Sequence, residues 1–344
     1  MDALRLAMTS LLDGQRLNAA AMEAAVGSIM DGECDPILIA AFLTALRCQG
    51  ESVEQLVGAA RAMRARSLKI PCRAAGLLDT CGTGGDALHT FNISTATAFV
   101  AAAAGVRVAK HGNRSASSKS GSADVLEALG VRLDLSPEQV AECVDEVGIG
   151  FCFAQRIHAA MKHAAPVRQA LGFRTLFNLL GPLTNPAGAE FQLLGVGRIP
   201  LASVMAGALA QLGAHHALVV CGNGELDEVS LWGPTTVFEV RDGAVERCEW
   251  TSATFGLPEC RVEDLKVGSP LESAALIREV FAGAGGAPRN MILANAAAAL
   301  MAAGRAGDPA AGVAAAKTAI DSGRAAELLE KFAEKTRTLA GDPA

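Results

Sequence analysis

Tyrosine is absent from the 344 residues, and the nine cysteines include no Cys-x-x-Cys pair and no regular spacing. An odd number of scattered thiols argues against a disulfide framework or a zinc site, so the cysteines read as reduced and mostly buried. No apolar run reaches the 18 or so residues that a membrane span requires; the longest are Ala96 to Val106 and Ile292 to Ala303. The opening MDALRLAMTSLLDGQ carries Asp2 and Asp13 and has no basic segment ahead of an apolar one, which is not the pattern of a secretory signal. A cytoplasmic protein without membrane partners is expected. A basic surplus is also missing: the net charge of −6 and pI near 5.6 argue against a general nucleic-acid surface. The chain lacks the Gly-Lys-Ser/Thr of a P-loop, the spacing of a dinucleotide G-x-G-x-x-G, an H-E-x-x-H and any Ser-His-Asp or paired-acid arrangement. Nucleoside triphosphates, NAD and hydrolysis are therefore disfavoured.

One local absence is the most informative. Between Asp86 and Asp124 lie 37 residues without a carboxylate, where the average acid content of the chain would place about four. Arg107, Lys110, Arg114 and Lys119 fall in the same window. It opens with Gly82-Thr83-Gly84-Gly85 and closes with Gly112 to Ser122, eight of whose eleven residues are Gly, Ser or Asn. Glycines let backbone N–H groups approach an anion, and hydroxyls, amides and lysine add donors and charge. Between the loops, Asn92-Ile93-Ser94-Thr95 leads into the apolar run Ala96 to Gly105, which reads as a helix whose N-terminus is a natural anion seat. Gly-Thr-Gly-Gly alone reads as a tight turn. Two donor-rich loops flanking a helix, with no acid between them, read as a phosphate site.

What is present elsewhere sets the architecture. With 51% hydrophobic and 19% charged residues the chain is globular, and its length suits one large domain and a smaller one. The first 70 residues read as helices: Asp35-Pro36 starts one, Gly50 ends it, and Ser52-x-x-Gln55 is a capping box for the next. Ile39, Phe42, Leu43 and Leu46 recur at helical spacing. From Leu77 short apolar strands alternate with Gly-rich loops and Ala-rich helices. Strands are expected at Val106 to Ala109, Ile149 to Ala154, Leu193 to Val196 and Ala217 to Cys221, with a helix from Ser136-Pro137 to Gly148 and another near Leu201 to Leu212. That alternation implies an α/β fold with a mostly parallel sheet and ligands at its C-terminal edge. Val237 to Val240, Asp242-Gly243 and Ala244 to Trp250 read as an antiparallel hairpin. Asp308-Pro309 and Gly323 bracket the last two helices.

Two further stretches carry possible chemistry. Residues 158–188 are dense in cations and breakers and read as short pieces crossing between the two units, where a cleft is expected. Arg168 and Arg174 there could each fork a carboxylate, or could be solvated surface arginines. Asp227-Glu228 follows the strand ending at Cys221. Adjacent acids in a polar loop are usually just solvated, but beside a phosphate site they could hold Mg2+ together with substrate oxygens. These parts describe a phosphorylated sugar whose diphosphate leaves once its charge is spread, with an arginine presenting a small carboxylic acid and no strong base required.

Asp79-x-x-Gly82-Thr-Gly-Gly-Asp86, Thr90-Phe-Asn-Ile-Ser-Thr95, and Lys110-His-Gly-Asn-Arg-Ser115 followed by Ser117-Ser-Lys-Ser-Gly-Ser122 closely resemble the anthranilate phosphoribosyltransferase family. The resemblance covers nearly the whole chain and implies transfer of the phosphoribosyl group of 5-phosphoribosyl 1-diphosphate to anthranilate, a step of tryptophan biosynthesis. It implies a small all-helical domain over 1–72, completed by the crossing at about 166–190, and an α/β domain over 73–344 of nucleoside phosphorylase/phosphoribosyltransferase type. A homodimer through the helical parts is implied as well. Matched residue by residue, the diphosphate site comprises Gly82, Gly85, Asp86, Thr90, Asn92, Ile93, Ser94, Thr95, Lys110, His111, Gly112, Asn113, Arg114, Ser115, Ala116, Ser117, Ser118 and Ser122. Ser94, Asp227 and Glu228 match ligands of magnesium, with two ions implied. Gly82, Asn113 and Arg168 match anthranilate contacts, and His111, His158 and Gly181 line the acceptor tunnel. No residue is implied as an acid–base catalyst.

This chain departs from the family at Gln155, commonly proline, and at Cys81, often a small aliphatic residue. Leu88 and His89 are also atypical, and His89 reads as an exposed loop residue. A pyrimidine nucleoside phosphorylase resembles the same architecture but expects a Lys-His-Ser-Thr-Gly-Gly loop. Nucleic-acid-binding relatives of the fold are the other alternative, disfavoured by the presence of Asn113, Arg168 and Asp227-Glu228.

Overall fold

Capping side chains set the helices that open the chain. The computed structural model describes residues 2–114 and 120–341. Helices α1 (Ala3–Leu12), α2 (Ala19–Met30), α3 (Pro36–Gln49) and α4 (Val53–Arg66) follow one another with no strand between them. Asp35 accepts the Ile37 N–H at 2.7 Å ahead of Pro36, and Ser52 and Gln55 cap each other's backbone at the start of α4.

After Gly76 the chain alternates. Strand β1 (Leu77–Gly82) leads to α5 (Ile93–Ala103), β2 (Arg107–Gly112), α6 (Ser122–Ala128), α7 (Pro137–Glu142) and β3 (Ile149–Phe153). Three short helices, α8 (Ala154–Ile157), α9 (Ala165–Leu171) and α10 (Phe177–Leu180), make the crossing. Then come β4 (Phe191–Gly195), α11 (Ile199–Gln211), β5 (His216–Gly222) and the hairpin β6 (Thr235–Arg241) and β7 (Ala244–Trp250). Asp242 and Gly243 turn that hairpin at φ 48° and 85°, the positive values a two-residue turn requires. Helices α12 (Pro270–Phe281), α13 (Ala287–Ala302), α14 (Pro309–Asp321) and α15 (Arg324–Ala340) close the described chain.

Two elements differ from the sequence expectation. The helix from Pro137 is α-helical only to Glu142 and continues to Gly148 as a π-helix over Cys143–Val147. The second strand is longer than the apolar run Val106 to Ala109 and carries Lys110 and His111 within the sheet, because both side chains find buried partners.

The seven strands lie in the order β3-β2-β1-β4-β5-β6-β7, parallel from β3 through β5 and antiparallel thereafter. The chain leaves β1 toward β2 and β3 on one side and toward β4 and β5 on the other. The switch point is therefore between β1 and β4, where Gly82 pairs with Gly195, and ligands bind outside the carboxyl ends of strands at such a point.

Alternate residues feed two apolar layers. Leu78, Leu193, Leu218 and Val220 pack with α5 and α12 to α15, whereas Cys81, Leu194, Val219 and Cys221 pack with α11. That second layer is continuous with the buried faces of α1 to α4 and with Ala164, Val167 and Leu176 to Leu183 of the crossing. No helix among the described residues is long and apolar enough to cross a membrane.

Candidate active site

The loops after β1, β2, β4 and β5 meet over the Gly82 and Gly195 pair. Glycine is required there because Asp227 crosses the strand ends: a Cβ on Gly195 would lie 1.6 Å from the Asp227 carbonyl oxygen, and one on Gly82 2.3 Å from Asp227 Oδ2. The same carboxylate accepts the Gly84 N–H at 2.7 Å. These loops and the crossing enclose a cavity of about 660 Å³, a size that suits a small-molecule site.

Acids and one lysine form a cluster in this cavity. Burial, and then the neighbouring Asp86, lift Asp227 to about 7. Glu228 is raised well above the usual carboxylate range, first by burial and then by Asp227. Lys110 is buried beneath them and donates to the Thr80 carbonyl and, at 3.2 Å, to Ser94 Oγ. Burial lowers its pKa, while Asp79, Cys81, Glu228 and Asp227 act to keep it charged. The N-terminus of α5 faces the Glu228 carboxyl, and the Ser94 N–H there acts to lower its pKa against burial. Asn92 caps the helix by accepting the Thr95 N–H at 3.0 Å, and its Nδ2 reaches the Ser120 carbonyl at 2.9 Å, joining the two donor loops.

A second region of the cavity is apolar and cationic. The Arg168 guanidinium lies 5.7 Å from the centre of the Phe177 ring, and its Nε has no hydrogen-bond partner among the described residues. Burial alone lowers its pKa, with no acid opposing, so it is a guanidinium without a resident carboxylate. His111 Nε2 and His158 Nε2 are 3.3 Å apart. Burial acts most strongly on His111, against Asp79 and then the Gly181 backbone, which act to raise it. Burial and then His111 hold His158 at about 3, and burial lowers His111, so the pair is neutral at pH 7.

Of the residues expected at the site, Gly82, Gly85, Asp86, Thr90, Asn92, Ile93, Ser94, Lys110, His111, Gly112, Asn113, Arg114 and Ser122 line this cavity, as do His158, Arg168, Gly181, Asp227 and Glu228. Thr95 does not: it is fully buried, and its Oγ1 has no partner among the described residues. Arg114 reaches the cavity, but its guanidinium is bound to Asp124 and Glu127 of α6. Ser115, Ala116, Ser117 and Ser118 lie outside the described residues. His89 is not an exposed loop residue; it is half-buried at φ 59°, lines the cavity and leaves Nδ1 without a partner.

Sequence reasoning missed Gly195, whose only local signal is a Gly-x-Gly directly after a strand. It left Arg174 as either a possible carboxylate fork or a solvated surface arginine, whereas Arg174 donates to the carbonyls of Thr83 and Gly84. Among the described residues no group of three or more His, Cys, Asp or Glu side chains could hold a metal ion by itself. Asp227, Glu228 and the Ser94 hydroxyl nevertheless fit magnesium that takes its other ligands from phosphate and water, and a cation would offset the burial, and then the acid neighbours, that raise both acids.

Comparison with known proteins agrees with this geometry. Residues 6–67 match the helical bundle domain of a glycosyl transferase family, and residues 74–326 match its a/b domain. The anthranilate phosphoribosyltransferase of Symbiobacterium thermophilum is 49% identical over 98% of this chain and 99% of its own length. Among solved structures, the anthranilate phosphoribosyltransferase of Thermus thermophilus superposes with a TM-score of 0.91 at 44% identity, covering 98% of this chain and 100% of that one. The Saccharomyces cerevisiae enzyme in complex with PRPP and Mg superposes with a TM-score of 0.90 at 29% identity, covering 97% and 98%.

Proposed function

The chain belongs to the anthranilate phosphoribosyltransferase family, and from that premise we propose which of its residues perform each part of the transfer. The enzyme moves the phosphoribosyl group of 5-phosphoribosyl 1-diphosphate to the amine of anthranilate, giving N-(5-phosphoribosyl)anthranilate and pyrophosphate in tryptophan biosynthesis, and it uses Mg2+. One observation supports the residue assignment: a single cavity is lined by the Lys110, Asp227 and Glu228 cluster and by the guanidinium of Arg168, which no carboxylate occupies.

In this reading Gly82, Gly85, Asp86, Thr90, Asn92 to Ser94 and Lys110 to Asn113 hold the diphosphate sugar, with further contacts from the loop that continues to Ser122. Asp227, Glu228 and Ser94 hold two magnesium ions, bound together with the diphosphate. When bound, magnesium supplies positive charge that offsets the charge developing on the leaving pyrophosphate. Arg168 forks the carboxylate of anthranilate, and Phe177 and the neutral His111 and His158 pair shape the space for its ring. With the amine so oriented, the C–N bond forms as the bond from C1 of the ribose to the diphosphate oxygen breaks, with inversion at C1. The amine gives up its proton as the C–N bond forms, and that proton is released to solvent. Positioning and electrostatics supply the acceleration.

The test is a split in kinetic constants, followed by the fluorescence of anthranilate. Arg168→Ala should raise the KM for anthranilate at least about tenfold, the scale of one charge-assisted contact, and leave the KM for the diphosphate sugar nearly unchanged. Glu228→Gln should instead shift the magnesium dependence. An unchanged anthranilate KM in Arg168→Ala would remove that residue from the acceptor site. The cytoplasm is the proposed location, and the proposed assembly is a homodimer through the helical unit.

A further inference from the structure

Arg174 follows Gly172, whose φ of 67° ends α9, and it lines the same cavity as Asp86 and Asp227. Nη1 donates to the Gly84 carbonyl at 2.7 Å and Nη2 to the Thr83 carbonyl at 2.9 Å. Asp86, Asp227 and Glu51 all act on it electrostatically, yet it forms no ion pair among the described residues. A half-buried arginine beside three carboxylates has therefore committed its fork to two successive peptides of the glycine loop.

The geometry of the peptide makes this consequential. In a trans peptide the N–H points opposite to the C=O, so turning the Thr83 and Gly84 carbonyls toward Arg174 turns the N–H groups of Gly84 and Gly85 the other way. The Gly84 N–H indeed meets Asp227 on that opposite side. Positive φ at Gly84 (64°) and Gly85 (80°) lets two successive N–H groups share one side, the arrangement of an anion-accepting concavity. Gly85 is also sterically tied to the clamp: a Cβ there would lie 1.8 Å from Arg174 Nη1. The end of β4 anchors the loop from behind, through the Thr83 N–H bonded to the Gly195 carbonyl at 2.9 Å.

We infer that Arg174 is a positioning residue for the diphosphate substrate, acting through the Thr83–Gly84 and Gly84–Gly85 peptides, which it presets with the N–H groups of Gly84 and Gly85 toward the cavity. It touches no substrate itself. The inference rests on the reading of the glycine loop as part of the diphosphate site. Because Arg174 lies six residues beyond Arg168, one short crossing segment fixes the guanidinium for the acceptor and the loop for the donor.

The experiment is a double-mutant cycle on the full-length enzyme, with KM measured separately for both substrates, since KM does not depend on the folded fraction. Arg174→Ala should raise the KM for 5-phosphoribosyl 1-diphosphate about tenfold or more and leave that for anthranilate within about twofold. Arg174→Lys, with one ammonium for two carbonyls, should fall between. Gly85→Ala should cost less in the Arg174→Ala background than in the wild type, because the atom its Cβ meets is gone and only the strain of alanine at φ 80° remains. An unchanged diphosphate KM in Arg174→Ala, or fully multiplicative losses in the cycle, overturns the inference. Asp227→Asn is the control for the underlying reading. If it alters the diphosphate KM or the magnesium dependence and Arg174→Ala does neither, only the role of Arg174 falls; if Asp227→Asn also has no effect, the site assignment falls with it.

Discussion

The side-chain amide of Asn295 brackets the backbone of Val229. Its Oδ1 accepts the Val229 N–H at 2.8 Å, and its Nδ2 donates to the Val229 carbonyl at 3.2 Å and to the Met291 carbonyl at 2.9 Å. Asn295 is fully buried on the Ala-rich helix α13, and Val229 directly follows Glu228, so a polar side chain in an apolar helix fixes where the acid doublet stands.

Asn295→Leu leaves both backbone groups of Val229 buried without partners. The expected loss of stability is about 1–3 kcal/mol per unsatisfied group, read as a lower midpoint in urea. The magnesium concentration for half-maximal rate should rise as well. A variant that unfolds earlier but keeps its magnesium dependence would limit Asn295 to the core.

The acid doublet makes stability depend on pH in a defined direction. The folded state holds Asp227 at about 7, above the ordinary 3.8, so between those values the folded chain binds a proton that the unfolded chain has lost. Stability from this group is therefore present at low pH and is lost as pH rises through about 7. Without ligands, Asp227→Asn should be more stable than the wild type at about pH 8, with the difference vanishing toward about pH 4. Thermal unfolding across that range checks the sign.

Gly195 and Gly82 approach the same residue from two strands, but alanine should act differently at each. A Cβ on Gly195 meets the Asp227 backbone, which cannot move aside, and overpacking there should cost about 1–3 kcal/mol or more. A Cβ on Gly82 meets the side-chain carboxylate, which can turn away. Gly82→Ala should therefore keep most of its stability and lose magnesium-dependent turnover. Equal effects on stability in the two variants would contradict this distinction.

A homodimer through the helical unit would cover exposed apolar side chains. Leu6 and Leu12 on α1 and Ile37 on α3 are 50%, 73% and 80% exposed, on helices that pack together. Ile37→Asp should shift sedimentation toward the monomer. A variant that sediments unchanged would place the contact elsewhere.

Much of this molecule is legible in local sequence because its signals are local. Asp35-Pro36, Ser52 with Gln55, Ser136 with Gln139 and Asp242-Gly243 each satisfy their own backbone, so the helix starts and the hairpin appear where those residues stand. The cavity was likewise announced by composition, through two donor-rich loops with no acid between them. Tertiary partners decided the rest. Nothing near Gly195 says that residue 227 will pass 1.6 Å from its missing Cβ, and nothing near Asn295 says that it will grip Val229, 66 positions away. Arg174 could be read as a carboxylate ligand or a solvated surface arginine because a guanidinium's charge is visible in a sequence and its neighbours are not. The π-helical turn at Cys143–Val147 has the composition of an ordinary helix, so no period distinguished it.

The apolar layer that runs from α2 and α4 through α11 to one face of β4 and β5 has a practical corollary. Removing residues 1–66 would strip Ala202, Met205 and Leu209 of their cover and bare the apolar outer face of α11, a surface prone to aggregate. The two segments that match separate family models should thus melt in a single cooperative step. A protease that cuts between them should yield no stable fragment.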